Sequence, residues 1–81
     1  MDEVNHPIRI FGRFGTAKTV SYNGSDYFTT CHFNRNPDFE DAARRMLKHD
    51  IPVLTMSLGE TRTMYITQIE IDELIVLTLT T

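Results

Sequence analysis

Only one stretch of this 81-residue chain has a helical period. Its core must therefore be assembled from strands packed against a single helix. The stretch is Asn36 to His49, NPDFEDAARRMLKH. Asn36 is placed to cap it, its side-chain oxygen accepting a backbone N–H that has no helical partner. Pro37 suits the first helical position, where no N–H is needed and φ is already set. Asp38, Glu40 and Asp41 fall near the start and Arg44, Arg45, Lys48 and His49 toward the end, as the helix dipole favours. Phe39, Ala42, Ala43 and Met46 recur at i, i+3, i+4 and i+7, with Leu47 beside them, which makes one apolar stripe. Glu40, Asp41, Arg44, Arg45 and Lys48 take the other face. Glu40 with Arg44 and Asp41 with Arg45 are favourable i,i+4 pairs. Pro52 stops continuation.

The remainder reads as strands and turns. Ile8 to Phe14 alternates, with Ile8, Ile10 and Phe14 on one side and Arg9, Phe11 and Arg13 on the other. Gly15-Thr16 reads as the following turn. Ala17 to Tyr22 is a weaker strand, and Asn23-Gly24 is the strongest short hairpin signal. Tyr27 to Phe33 is β-branched and aromatic. Pro52 to Leu58 sets Leu54, Met56 and Leu58 against Val53, Thr55 and Ser57. Gly59-Glu60 turns the chain into a strand from Arg62 to Ile71, and Leu74 to Thr80 is the last strand. Residues 70–73 fit either a strand extension or a helical turn. The expected fold is α+β: an antiparallel five- or six-stranded sheet with one helix packed on one face, in β-β-β-α-β-β-β order. It is one domain, residues 1–81, with residues 1–6 flexible. The uncovered face would present residues such as Arg9, Phe11, Arg13 or Phe28.

Composition narrows the chemistry. One cysteine excludes an intramolecular disulfide framework and points to a reducing compartment. No basic start leads into an apolar run, and no run is long enough to span a bilayer, so the expected location is the cytoplasm. The net charge is −3. Residues 1–49 carry +1 and residues 50–81 carry −4, with Arg62 the only cation against Asp50, Glu60, Glu70, Asp72 and Glu73.

No catalytic constellation emerges. Gly12 to Thr19 follows the phosphate-loop pattern GxxxxGK[ST] except that Ala17 replaces the last glycine. The following VSYNGSDYF is strand and turn, not the helix whose N-terminus holds phosphates. Cys31 and His32 are strand neighbours that point to opposite faces. One cysteine and three scattered histidines lack metal-ligand spacing. Glu70, Asp72 and Glu73 lack any accompanying substrate site. The expectation is a non-enzyme without cofactor or metal.

Function is then binding. Size, mild acidity and a one-helix-on-a-sheet build make the chain resemble the small anti-defence inhibitors of phages and mobile elements, of the anti-CRISPR kind. The resemblance is of build, with no motif and no residues carried over. It implies an inhibitor in the cytoplasm of a bacterial host whose acidic edge occupies a basic nucleic-acid-binding surface and blocks DNA access. The residues expected at the partner are Glu70, Asp72, Glu73, Phe11 and Arg13. A rival reading is a single-stranded nucleic-acid binder, because Arg9, Phe11, Arg13, Phe14, Lys18, Tyr27, Phe28, His32, Phe33 and Arg35 interleave cations and rings on strands. A third is a small antitoxin or immunity protein. The uncharged strand from Leu74 to Thr80, if it lies at a sheet edge, suggests a homodimer by strand addition.

Overall fold

The computed structural model describes residues 5–22 and 26–81. The Asn23-Gly24 signal and residues 1–4 lie outside the described residues. The elements are β1 (Asn5–Ile10), β2 (Arg13–Tyr22), β3 (Asp26–Phe33), α1 (Pro37–His49), β4 (Val53–Ser57), β5 (Glu60–Ile71) and β6 (Ile75–Thr80). One helix and six antiparallel strands in β-β-β-α-β-β-β order match the expected α+β class. Asn5 and His6, expected to be loose, open β1 opposite Lys18 and Ala17.

The sheet is not open. Its strands run β1-β2-β3-β6-β5-β4 and β4 returns to β1, closing a barrel. Closure removes the unpaired edges that an open sheet must protect. β6 pairs with β3 on one side and β5 on the other. That overturns its reading as an edge strand and takes away the free backbone on which a homodimer through Leu74 to Thr80 depended. It also explains how a strand can do without charge. A register shift between Ile66 and Gln68 in β5 adds a residue opposite β6, and such bulges supply the extra twist that closure needs.

There is likewise no covered and uncovered face. Inward residues alternate along β1, β3, β4 and β6, and Ile8, Ile10, Cys31, Phe33, Val53, Met64, Ile66, Ile75, Leu77 and Leu79 fill the interior. α1 lies at the barrel end where β3 finishes and β4 begins. Its capping is as expected: Phe39 N–H donates to Asn36 Oδ1 at 3.0 Å and Pro37 occupies the first turn. Phe39 and Ala43 enter the core, Met46 packs at its margin, and Leu47 is exposed.

Both hairpin turns between β1 and β2 and between β4 and β5 depart from the expected places. The first is Phe11-Gly12 (φ 52° and 76°) and the second Leu58-Gly59 (φ 52° and 74°). Positive φ at both central residues is the tight turn whose twist suits a hairpin, and asparagine or aspartate usually leads it. Here a bulky apolar residue leads each one. With the first turn at Phe11 rather than Gly15, the parity of the chain changes. Phe14, expected beside Ile8 and Ile10, is instead 73% exposed. Arg13 no longer shares a face with Arg9 and lies over the Phe39 ring at 6.0 Å.

Candidate functional site

The five residues expected at a partner do not form one surface. Phe11 and Arg13 meet at the β1–β2 turn, where Phe11 packs edge-on against Phe39 at 5.8 Å. Glu70 lies near the end of β5, and Asp72 and Glu73 lie in the turn to β6. In the closed strand order the β5–β6 hairpin stands across the barrel from β1–β2. Asp72 lies beyond the end of β5, so it shares no strand face with Glu70. Glu70 accepts from Gln68 Nε2 at 2.8 Å, and the Asp72 carbonyl accepts from Arg35 Nη1 at 3.0 Å.

Arg35 belongs to a network that periodicity did not reveal. Glu40, expected on the solvated face, is buried. Its carboxylate accepts from Arg35 Nε at 2.8 Å, Arg35 Nη2 at 3.2 Å and the Asn36 backbone N–H at 3.0 Å. This resembles a capping box moved one position along, with the cap residue's own N–H satisfied by a side chain of the first turns. The hydrogen bonds from Arg35, reinforced by Asn36 and opposed by desolvation, hold Glu40 below its ordinary value of 4.5. A carboxylate with a depressed folded pKa contributes stability above the unfolded value, and that contribution fades as pH falls through the folded value. The urea midpoint of the wild type should thus exceed that of Glu40→Gln at neutral pH. The gap should narrow well below pH 4.5. A pH-independent gap would detach Glu40 from acid sensitivity.

The surface that the sequence reading missed is the outer wall over β1 and β4. β4 faces the opposite way from simple burial of its larger apolar residues. Val53, Thr55 and Ser57 point inward, while Leu54 and Met56 point out and Leu58 stands exposed in the turn that follows. Leu54 is 61% and Leu58 65% exposed. β1 pairs β4 with Arg9 opposite Met56, and Arg9 is opposite Phe14 on β2. Phe14, Arg9 and Met56 therefore make one row across the wall. Leu54 and Leu58 lie two residues to either side of Met56 in the chain, and the exposed Phe11 and Ile51 extend the apolar area toward the helix end. The signal was present in the alternation of Leu54, Met56 and Leu58, but alternation alone does not say which set faces in.

Two shallow depressions straddle that row. One, about 410 Å³, is lined by Pro7, Phe14, Leu58 and Thr61. The other, about 390 Å³, is lined by Phe11, Met46, Ile51 and Leu54. Arg9 and Met56 border both. The Arg9 guanidinium lies 5.6 Å from the Phe14 ring centroid. Among the described residues no carboxylate forms an ion pair with it.

Elsewhere the chemistry is quiet. Gly12 sits in a turn and Arg13 to Thr19 in a strand, so no helix N-terminus follows the glycine-rich stretch. Among the described residues no three His, Cys, Asp or Glu side chains gather as a metal site. Cys31 is fully buried and its thiol donates to the Leu77 carbonyl at 3.6 Å. Burial pushes its pKa up to about 12, opposed only in small part by the Leu77 backbone. Because the thiolate is the nucleophile, Cys31 should resist a thiol reagent in the native protein and react fully in denaturant. Rapid native labelling would place the thiol outside the barrel. No helix among the described residues is long and apolar enough to cross a membrane. Compared with protein-family models, curated proteins and solved structures, the chain matches none.

Proposed function

We propose that this chain is a non-enzymatic protein-binding domain and that its contact surface is the wall over β1 and β4. One observation carries the reading: β4 turns Leu54 and Met56 outward while burying Val53, Thr55 and Ser57, and Leu58 stands exposed in the turn that follows. Exposed apolar residues scattered singly are ordinary, but a contiguous group rimmed by polar residues marks a surface that a partner covers. The turns add to this. Phe11 and Leu58 hold a left-handed backbone that bulky residues rarely adopt, and both are exposed. Such strain is retained where the side chain has a use. The wall supports this reading better than the acidic edge does, since Phe11 and Arg13 lie across the barrel from Glu70, Asp72 and Glu73 and the five make no common surface. An inhibitor of a bacterial effector complex is one form the proposed binding takes. Its contact would then be apolar first and electrostatic second.

Photo-cross-linking in cells that express the chain tests the reading. A photoreactive side chain at Phe14 or Leu58 should give one discrete protein adduct. The same group at Gln68 or Thr78, away from the wall, should give none. Leu54→Asp with Leu58→Asp should abolish the adduct. Equal adducts from every position would overturn the assignment of the wall.

A further inference from the structure

The shape and charge of the wall narrow its occupant. The two depressions lie on either side of the Arg9–Met56 row, near Leu58 and Leu54. Leu54 lies in β4 and Leu58 opens the turn just beyond its end, so the three strand steps from Leu54 to Ser57 and the turn residue put roughly 10–13 Å between them. An occupant needs two apolar anchors at roughly that spacing. Between them it meets Arg9, a cation in an apolar surround that has no carboxylate partner among the described residues. Among the residues lining the depressions the acidic one is Glu60, which lines the one beside Leu58 and is already held by Arg62 at 2.6 Å. Complementarity therefore asks for a carboxylate from the partner.

The closed barrel also decides the partner's backbone. Where they meet, at Ile8–Ile10 and Thr55–Ser57, β1 and β4 are each paired on both sides, so no strand edge is available at the centre of the wall. An extended segment laid there would find no ladder for its N–H and C=O groups. A helix satisfies its own backbone and presents side chains seven residues apart on one face, about 10.5 Å along its axis. A residue at i+4 falls between them on the same face. A second copy of this chain fits less well. A two-fold contact centred on the row would bring two Arg9 guanidiniums together.

Resting on the protein-binding reading above, we infer that the wall takes an acidic amphipathic helix of another protein. Its apolar anchors at i and i+7 seat beside Leu58 and Leu54, and a carboxylate at i+4 pairs with Arg9.

The probe is a displayed library of helical peptides randomised at i, i+4 and i+7, selected on the full chain. Apolar residues at i and i+7 with Asp or Glu at i+4 should be enriched. Fluorescence polarisation of the best peptide should then show binding weakened about tenfold or more by Glu→Gln at i+4. Lysine there should weaken it further. Arg9→Glu should reverse the preference, taking the lysine peptide over the glutamate peptide, which misfolding alone does not produce. Selection of no peptide, or affinity indifferent to the i+4 residue, would overturn the inference. So would tighter binding of a single-stranded oligothymidine than of the peptide, which favours nucleic acid. So would self-association abolished by Leu58→Asp, which makes a second copy the occupant. A wall-specific cross-link that persists after the peptides fail would remove the helix and carboxylate while leaving protein binding in place.

Discussion

Phe39→Ala is expected to lose about 3–5 kcal/mol of stability, the range for truncating a buried ring. The ring is 3% exposed and is the link between the helix and the barrel end. It packs against Phe33 of β3 at 4.6 Å between centroids and against Phe11 of the β1–β2 turn at 5.8 Å. Arg13 lies over its remaining face. Alanine would leave a void beneath α1 that neighbours from two different elements cannot close without moving a strand end or a strained turn. A domain of this size has a total stability on the order of 5–10 kcal/mol, so the variant should unfold at much lower urea or temperature. Phe39→Leu, which keeps most of the volume, should fall between the two. An unchanged midpoint for the alanine variant would mean that the helix does not seal the barrel.

What the sequence made legible was local. Asn36, Pro37, the charge gradient and the stripe from Phe39 to Met46 all act within a few residues of one another, and they define α1 to its last turn. The succession of elements along the chain could also be read, because each strand alternates on its own account. Closure could not. It depends on β1 meeting β4 and β3 meeting β6, and a period of two carries no information about which distant strand lies alongside. The turn at Phe11-Gly12 was hidden because its first residue is not one that such turns favour, so Gly15-Thr16 took its place. That single displacement reversed the side on which Phe14 was expected. Glu40 was misassigned for a related reason. A helical wheel places it on the polar face but cannot see Arg35 reaching it from outside the helix. The outward face of β4 was missed because alternation gives two faces and burial had to choose between them. Three of these misses share a place: the first turn, Phe14 and β4 all belong to the wall now proposed as the binding surface. Local and global preferences are expected to disagree at functional positions.

Gly15→Ala is expected to be about as damaging as the loss of a core side chain, although it adds a single methyl group. Gly15 is an ordinary strand residue in β2, opposite Ile8. A Cβ there would stand 2.4 Å from the His32 carbonyl oxygen and 2.7 Å from two carbons of the Phe33 ring. The carbonyl is backbone, and next to it Thr16 pairs with His32 in the β2–β3 ladder. It cannot withdraw without opening that ladder. The ring cannot withdraw either, because Phe33 is fully buried and carries Phe39 on its other side. The cost should reach about 3 kcal/mol, the upper end for overpacked sites. Gly12→Ala is the informative comparison. Its backbone is left-handed at φ 76°, yet nothing lies within 4 Å of the added Cβ. It should cost only about 1–2 kcal/mol, the penalty of that conformation. Urea unfolding of both variants should rank Gly15→Ala as clearly the less stable. The reverse order would mean that β2 does not lie against Phe33, and the path from β2 through Phe33 to the helix would fail with it.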